Sequence, residues 1–295
     1  MTDFVRLASG EASLAISPQG AEAREWRVGA HDLLWPSDPA IWNQISPILF
    51  PIVGWTRDGA RVNGKYYPLR LHGFAASQIF ALESQTADAA RFVLADNDDT
   101  RAVYPFAFRF AVEYRLAPTR LEIALEMKNT GATPAPYAFG LHPGFRWPFD
   151  GAGRDYCRVV FEKPERGEVP VLAPGGLVSS RRRPIPINGA VLDMTDELFA
   201  HDALCFIDPA SRSLKFVGAS GAAIEMALGD FPHAALWTRP HAPFLCLEAW
   251  TGYSDPEGFE GDLFEKPAMR VLQPGKMERC VAAYSYLAPP AEGAQ

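Results

Sequence analysis

One carboxylate lies in an otherwise apolar stretch near the C-terminal end of the chain. Glu248 occupies the middle of residues 243–252, PFLCLEAWTG, which reads as a short apolar strand. Burying a charged group is costly unless the group is paired, hydrogen-bonded or used in chemistry. Burial also raises the pKa of a carboxylic acid, which is one way to prepare a proton-transfer group. Glu248 is therefore a candidate general base or acid. The alternative is a glutamate on the solvent side of an edge strand.

Two histidines share a local context of glycine, proline and aromatic residues. His72 lies in LHGF at residues 71–74, and His142 lies in FGLHPGF at residues 139–145. Glycine allows close backbone approach, and an aromatic ring suits stacking against a sugar. A lone histidine at a strand end is more often structural, but this combination favours a small-molecule pocket.

Several common catalytic signatures are missing from the sequence. It contains no GxxxxGK[ST] phosphate loop, no strand-linked GxGxxG, no GxSxG elbow and no HExxH. Nucleotide binding, serine-hydrolase chemistry and zincin chemistry are therefore disfavoured. The histidines that could converge on a metal show no close ligand spacing, so no metal site is expected. They are His72, His142, His233 and His241.

Alternation of apolar and polar residues with a period of two dominates the chain. Residues 106–116 place Phe, Val, Tyr and Leu on one face and Ala, Arg and Glu on the other, and a similar strand over 121–128 follows a turn at 117–120. This pattern predicts a half-buried antiparallel hairpin. Further short strands are predicted near 4–8, 12–16, 22–28, 91–95, 157–161, 213–217, 222–227, 234–237 and 279–287.

Helical segments are scarce, and only residues 193–199 suggest one short turn. Many strands separated by Pro/Gly turns predict an all-β sandwich or barrel. No internal repeat or linker divides the sequence, so we expect a single domain over residues 1–295. The Pro/Gly-rich stretch 163–186 is interpreted as a long surface excursion, with the basic run at 181–183 as a solvated loop within it.

The net charge of the chain indicates which classes of partner are unfavourable, and its cysteine content indicates the redox state of its compartment. The net charge of −7 disfavours nucleic acid and a membrane as partners, because both select basic patches. The four cysteines form no CxxC pair, which suits free thiols in a reducing compartment. The N-terminus shows no secretory signal, and no apolar run approaches the ~20 residues that span a bilayer. We therefore expect a cytoplasmic protein.

Five short motifs occur in an order that is more specific than any one of them. They are LFP at 49–51, HGF at 72–74, HP at 142–143, Glu248, and DPEGF at 255–259. Together they resemble the aldose 1-epimerase (galactose mutarotase-like) superfamily, and most closely its LacX-like branch. The resemblance runs from near residue 20 to near residue 285. It implies a large antiparallel β-supersandwich, which agrees with the all-β interpretation.

The resemblance implies mutarotation, in which the α and β anomers of an aldose interconvert by ring opening and reclosure. By the family match, Glu248 is the base that takes the anomeric hydroxyl proton, and His142 is the acid that protonates the ring oxygen. His72 binds the sugar and Asp202 holds a sugar hydroxyl, while Trp250 is a further candidate for substrate binding. The implied reaction needs no cofactor and no metal. Its partner is a small-molecule sugar substrate, and a monomer or homodimer is expected.

Two positions depart from the family pattern. Family members commonly have an arginine where this chain has Trp55, and the LacX-like and hexose-phosphate branches often have one at the position of Ala76. Because arginine is the usual bidentate partner of phosphate, both departures disfavour a sugar phosphate. Arg57 is the candidate to replace the arginine missing at position 55, and Arg146 or Arg239 could compensate.

Three alternatives to a mutarotase of free aldoses stay open. A hexose-6-phosphate mutarotase would use the same acid–base chemistry, but it would bind its substrate through the phosphate group. A glycoside hydrolase needs two carboxylates beside the scissile bond, and only the loop residues Asp255 and Glu257 lie near Glu248 in sequence. A non-catalytic sugar-binding protein could keep the same pocket.

Overall fold

The regular secondary structure of the chain is mostly antiparallel β-strand. The structure is a computed structural model, and it describes residues 4–290. The strands of this part of the chain are β1 (Val5–Ser9), β2 (Ala12–Ser17), β3 (Glu22–Val28), β4 (His31–Asp32), β5 (Ile48–Leu49), β6 (Ala60–Val62), β7 (Lys65–Tyr67), β8 (Ala81–Gln85), β9 (Ala89–Ala95), β10 (Phe108–Ala117), β11 (Arg120–Asn129), β12 (Ala135–Tyr137), β13 (Gly140–Leu141), β14 (Gly144–Arg146), β15 (Arg158–Phe161), β16 (Glu168–Ala173), β17 (Leu177–Pro184), β18 (Val191–Asp193), β19 (Leu204–Phe206), β20 (Ser213–Val217), β21 (Ala223–Ala227), β22 (His233–Trp237), β23 (Phe244–Trp250), β24 (Arg270–Leu272) and β25 (Met277–Leu287).

Within residues 4–290, helical structure is limited to short segments. The α-helix α1 spans Asp98–Val103, and 3-10 turns span Ala75–Ser77, Asp196–Phe199 and Leu263–Glu265. The turn predicted within 193–199 is thus confirmed. Helix α1 was not predicted. Its N-terminus has a capping box in which the Thr100 N–H donates to Asn97 Oδ1 at 2.9 Å and the Asn97 N–H donates to Thr100 Oγ1 at 2.8 Å, with Thr100 where Glu or Gln usually marks this motif in a sequence.

Two large sheets carry most of the strands. The nine-stranded sheet has the order β18-β15-β20-β21-β25-β11-β10-β9-β8, and the second sheet has the order β19-β22-β23-β13-β5, with β14 also paired to β23. A four-stranded sheet, β1-β2-β3-β4, and three two-stranded sheets complete the architecture. The predicted all-β antiparallel fold is confirmed. No helix within residues 4–290 is long and apolar enough to cross a membrane.

The predicted hairpin is confirmed as β10 and β11. Its register runs from Phe108 opposite Asn129 to Ala117 opposite Arg120, and Phe108, Phe110, Val112, Tyr114 and Leu116 are buried on one face. The other predicted strands are present, with ends displaced by no more than two residues. Period-2 alternation identified these strands because each has one face in the core.

The segment 163–186, interpreted as a surface excursion, forms a two-stranded hairpin outside the two large sheets. Strands β16 and β17 pair within it, with a β-bulge between Pro170 and Leu172. The basic run at 181–183 lies in β17, where Arg182 pairs with Glu168 and the Arg183 guanidinium donates to the Leu198 carbonyl at 3.2 Å. The prediction of a loop at 181–183 was wrong, because the prolines and the bulge interrupt the alternation that marks a strand. The run is nevertheless solvated at Arg181 and Arg182, which are exposed.

Aromatic side chains join the two large sheets. The Tyr284 hydroxyl on β25 donates to the Leu247 carbonyl on β23 at 3.0 Å, and Phe50 after β5 stacks on Phe110 of β10 with ring centroids 4.2 Å apart. All four cysteines are buried free thiols, as predicted. The core therefore lies between the sheets, and the opposite face of β23 is left for a site.

Candidate active site

Glu248 lies on a central strand and is buried. Strand β23 pairs with β22 on one side and with β13 and β14 on the other, and Glu248 is only 1% exposed. The alternative of a solvent-facing glutamate on an edge strand is therefore wrong. Because side chains alternate along a strand, Glu248 shares its face with Cys246 and Trp250, away from the core between the sheets.

The strand register brings His142 to Glu248. Leu141 lies opposite Ala249 in the β13–β23 pair, and Gly144 lies opposite Cys246 in the β14–β23 pair. These two pairings are in the same register, so His142 falls directly opposite Glu248. Opposed residues on antiparallel strands have neighbouring side chains, and His142 Nε2 lies 3.3 Å from Glu248 Oε2. The close contact is thus a consequence of strand pairing.

Burial shifts the pKa values of Glu248 and His142 in opposite directions. Burial raises the pKa of Glu248 well above its usual value, opposed by a hydrogen bond from Trp250 Nε1 to Glu248 Oε2 at 3.0 Å and reinforced by the charge of Asp202. Burial, with a smaller contribution from His72, lowers the pKa of His142 to about 3. A buried site disfavours net charge on either group.

His72 is held by the backbone of Gly54. The Gly54 N–H donates to His72 Nδ1 at 3.0 Å, and the His72 N–H donates to the Gly54 carbonyl at 2.9 Å. His72 itself has a φ of 59°, a left-handed conformation that a non-glycine residue adopts at a cost and that is common at functional sites. Because Nδ1 accepts a hydrogen bond, the neutral ring carries its proton on Nε2. Burial lowers the pKa of His72 to about 4, which favours this neutral form.

These residues surround a cavity of about 400 Å³. That volume falls within the usual range for small-molecule sites. Five of the six site residues predicted from the sequence line it, namely Glu248, His142, His72, Asp202 and Trp250. Their side chains come from four separate segments of the chain.

Arg57 is the predicted site residue that the structure does not bring into this cavity. It lines a neighbouring cavity, and its guanidinium pairs with Glu260 at 3.2 Å and with Asp58 at 3.8 Å. Trp55 lines both cavities. Of the two arginines that could compensate, Arg239 lines the candidate cavity, whereas Arg146 lines a different one.

Sequence reasoning missed the aromatic walls of the cavity. Trp42 and Trp237 flank the His142 ring, with centroids 5.3 and 5.6 Å from it, and Tyr253 also lines the space. Trp237 lies on β22, a strand that the alternation predicted and that pairs with β23. The closeness of these two strands in the sequence was the only signal that pointed to Trp237 as a wall of the cavity. Trp42 lies in an irregular segment with no pattern that indicates its role.

Two of the catalytic candidates, His142 and Glu248, form with Cys246 a trio whose side chains are of the kinds that bind metal ions. The ligand atoms of His142, Cys246 and Glu248 all lie within 4.8 Å of one another, and all three residues are buried. Nitrogen, sulfur and carboxylate ligands suit a divalent transition metal. A metal here would occupy the lone pairs of His142 and Glu248, which are the two groups suited to proton transfer.

Comparison with known proteins identifies the family. A model of the aldose 1-epimerase family matches residues 3–276, which is most of the chain. The chain belongs to the aldose 1-epimerase family. The resemblance inferred from the short motifs is confirmed.

Relatives of this aldose 1-epimerase family member include LacX of Lactococcus lactis subsp. lactis. The plasmid and chromosomal LacX proteins are both 31% identical over 256 residues, covering 82% of this chain and 85% of LacX. A crystal structure of a galactose mutarotase related enzyme from Lactobacillus acidophilus superposes with a TM-score of 0.88 at 28% identity, covering 98% of this chain and 99% of that one. A galactose mutarotase-like protein from Lactobacillus casei shares the fold, with a TM-score of 0.89, 24% identity and coverage of 96% and 99%. Membership of the aldose 1-epimerase family supports a mutarotase-like function.

Proposed function

We propose that the protein is an aldose 1-epimerase that interconverts the α and β anomers of a free aldose by general acid–base catalysis. The observation that carries this proposal is the contact of 3.3 Å between His142 Nε2 and Glu248 Oε2 at the wall of a cavity of about 400 Å³. The two oxygens of a hemiacetal are bonded to one carbon, so its base and its acid must lie side by side.

The reaction proceeds by ring opening. Glu248 takes the proton of the anomeric hydroxyl while His142 delivers a proton to the ring oxygen, and the bond between C1 and the ring oxygen breaks to leave an aldehyde. Rotation about the C1–C2 bond presents the other face of the aldehyde. Protonated Glu248 then returns its proton to the carbonyl oxygen as the ring closes, and His142 recovers the proton of the attacking hydroxyl. Positioned acid–base groups contribute about 10²–10⁴-fold to such a rate.

Burial keeps the catalytic pair at one net charge. The pair is neutral either as carboxylate with imidazolium or as carboxylic acid with imidazole, and these two forms differ only in the position of one proton. Removing a proton gives a buried anion and adding one gives a buried cation, and burial disfavours both. The raised pKa of Glu248 and the lowered pKa of His142 favour the form with carboxylic acid and imidazole. Glu248 acts as the base and His142 as the acid after that one proton passes from Glu248 to His142 across their 3.3 Å contact, so the reactive form keeps the same net charge.

The pH dependence of kcat/KM should reflect this neutral pair. The pair gains a second proton only as pH falls through the lowered His142 pKa of about 3, and it loses its last proton only as pH rises through the raised Glu248 pKa. We expect kcat/KM, corrected for the uncatalysed rate, to be flat between about pH 5 and 7. An inflection at the usual histidine pKa of about 6.5 would contradict the neutral pair.

Polarimetry tests the proposed function directly. Freshly dissolved α-D-glucose and α-D-galactose are followed to equilibrium with and without protein. Acceleration of either sugar is the expected result. If neither responds, glucose 6-phosphate distinguishes the sugar-phosphate alternative, and sugar binding without any acceleration would indicate a non-catalytic sugar-binding protein.

Replacing His142 by asparagine should lower kcat/KM by about 10²-fold or more, because the amide cannot donate a proton to the ring oxygen at neutral pH. The same polarimetric assay measures the loss. His241→Asn is the matched control, since His241 is exposed and pairs with Asp196 outside the cavity. Unchanged mutarotation by His142→Asn would show that another group is the acid.

A further inference from the structure

Strand pairing brings His142, Cys246 and Glu248 together. Cys246 and Glu248 are two residues apart on β23, so their side chains lie on the same face, and the register places His142 opposite Glu248. One ligand atom from each residue lies within 4.8 Å of the ligand atoms of the other two, and all three residues are buried. Spacing along the chain did not indicate a metal site, because His142 joins the other two residues only through the sheet.

The distance between His142 and Glu248 suits a tetrahedral metal ion. Zn²⁺ binds nitrogen and oxygen ligands at about 2.0–2.1 Å, so two such ligands at a tetrahedral angle are about 3.3 Å apart. His142 Nε2 lies 3.3 Å from Glu248 Oε2. A thiolate binds Zn²⁺ at about 2.3 Å and would lie about 3.5 Å from the other two ligands. Cys246 Sγ therefore needs to approach them by no more than about 1.3 Å.

Gly144 leaves the region beside the Cys246 thiol free of side-chain atoms from β14. It lies opposite Cys246 on the strand ladder. A Cβ at position 144 would be 3.5 Å from Cys246 Sγ and 2.8 Å from Trp42 Cζ3, so a side chain there would fill the space between the thiol and the indole. His142 and Glu248 also line the cavity of about 400 Å³. An ion held by the trio would thus have three protein ligands and a fourth position toward the cavity.

The three side chains balance the charge of a divalent ion. A bound thiolate and a bound carboxylate each carry one negative charge and a neutral imidazole carries none, so the group has no net charge with Zn²⁺. A buried site favours such neutrality. Trp250 Nε1 donates to Glu248 Oε2 at 3.0 Å, and a hydrogen bond of this kind orients a carboxylate ligand. Magnesium and calcium prefer oxygen ligands alone, so the trio selects a transition metal.

We propose that His142, Cys246 and Glu248 form an inhibitory site for Zn²⁺ and similar divalent transition metal ions. A bound ion occupies Nε2 of His142 and a carboxylate oxygen of Glu248, which exchange protons with the sugar in the proposed mechanism. The inhibition therefore rests on the proposed function, whereas the binding of the ion does not. Binding displaces the thiol proton and the one proton that the His142–Glu248 pair shares, so two protons are released to solvent.

Titration with Co²⁺ tests metal binding in the absence of sugar. A bond between Co²⁺ and a thiolate gives a charge-transfer absorption in the near ultraviolet. We expect a single equivalent of Co²⁺ to produce this absorption in the wild-type protein and Zn²⁺ to abolish it by displacing Co²⁺. Cys246→Ser should remove the absorption and weaken Zn²⁺ binding, measured by calorimetry, by about 100-fold or more, since losing only a partner of a metal ligand costs about 10–100-fold.

Two further variants support this comparison. Cys246→Ala carries the same expectation if serine at this fully buried position prevents folding. Cys205→Ala is the matched control, because Cys205 is a buried free thiol that lines the same cavity but does not belong to the trio. It should keep both the Co²⁺ absorption and the affinity for Zn²⁺.

Polarimetry then measures inhibition. Zn²⁺ should slow mutarotation by the wild-type and Cys205→Ala proteins, and EDTA should restore the rate. The rate of each protein with Zn²⁺ is divided by its own rate without Zn²⁺, so that a change in the uninhibited rate does not affect the comparison. The Zn²⁺ concentration for half inhibition should rise in Cys246→Ser by the same factor as the calorimetric dissociation constant.

Different outcomes overturn the metal site and the proposed function. The site is overturned if the wild-type protein shows no thiolate absorption with Co²⁺, if the absorption survives Cys246→Ser, or if Cys205→Ala removes it. Zn²⁺ binding that leaves the mutarotation rate unchanged overturns the inhibitory role. Binding that depends on Cys246 in a protein that accelerates no sugar would support the metal site although the proposed function had failed.

Discussion

Replacing Glu248 by glutamine should lower kcat/KM for mutarotation by about 10²–10⁴-fold while the affinity for sugar stays nearly unchanged. Glutamine has almost the same shape as glutamate and keeps an oxygen that can accept the Trp250 Nε1–H bond, which is 3.0 Å long in the present structure. The amide cannot take up the anomeric proton. Because Glu248 is 1% exposed, a neutral amide there should not destabilise the fold.

Two measurements together isolate the role of Glu248 as a base. Polarimetry gives the rate, and isothermal titration calorimetry with the same sugar gives the affinity. Glu257→Gln is the matched control, because Glu257 is an exposed glutamate outside the cavity lining. A Glu248→Gln protein with wild-type turnover would remove Glu248 from the mechanism, and a loss of binding equal to the loss of rate would assign it to substrate binding.

Replacing Lys266 by methionine should destabilise the protein by about 3–5 kcal/mol, because it leaves Asp255 buried without its countercharge. Lys266 is 3% exposed and Asp255 is 4% exposed, and Nζ lies 2.6 Å from Asp255 Oδ1. Burial lowers the pKa of Lys266, and the Asp255 carboxylate opposes this effect and holds the charged form. Methionine preserves the length of the side chain, so the lost charge and not a cavity should dominate the result.

Urea unfolding of the wild-type and variant proteins measures this loss. Lys163→Met is the control, since Lys163 is exposed and pairs with exposed Glu162 at 3.8 Å, where the change should stay within about 0.5 kcal/mol. The double variant Lys266→Met/Asp255→Asn should recover part of the stability, because no unpaired charge is then buried. A single variant as stable as the wild type would mean that Asp255 becomes protonated or solvated at little cost.

The buried pair also supports the wall between the two cavities. Asp255 Oδ2 accepts the Arg57 N–H at 2.7 Å, and the Asp255 carbonyl accepts the Val178 N–H of β17 at 2.9 Å. One short loop therefore fixes the segment of Trp55 and the β16–β17 hairpin together. The same loop carries the DPEGF motif that contributed to the family resemblance, which gives that motif a structural role.

Regular strands were predictable from the sequence because a strand with one buried face alternates apolar and polar residues. The β10–β11 hairpin is the clearest case, since its buried aromatic and aliphatic residues alternate without a break. Glu248 was identifiable by the same logic, as a charge on an apolar strand. Alternation cannot reveal which strands become neighbours, so the position of His142 opposite Glu248 came from the structure and from family resemblance.

Sequence reasoning missed the segments in which the pattern of side chains does not reveal the conformation of the backbone or the partners of the side chains. Pro170 and the bulge beside it hide β16, and the arginines of β17 read as a charged loop although Arg183 reaches the Leu198 carbonyl. Arg57 was nominated from its proximity to position 55, but its partners Asp58 and Glu260 hold it in the neighbouring cavity. Tertiary partners of this kind leave no local trace in a single sequence.

Strand pairing along β23 sets the positions of His142 and Glu248, whereas loops set the shape of the neighbouring cavity. A redesign of this protein would treat the two differently. The proposed proton-transfer pair, His142 and Glu248, is fixed by ladder pairing in the middle of a sheet, whereas the neighbouring cavity is bordered by residues 174, 175 and 177 and by the segment 55–59. Loop exchange at these borders can change the shape of the neighbouring cavity without moving His142 and Glu248. An insertion or deletion between residues 140 and 142 would change which residue lies opposite Glu248 on the ladder. Diversity libraries for new substrates therefore belong in the border loops, and the ladder should be kept constant.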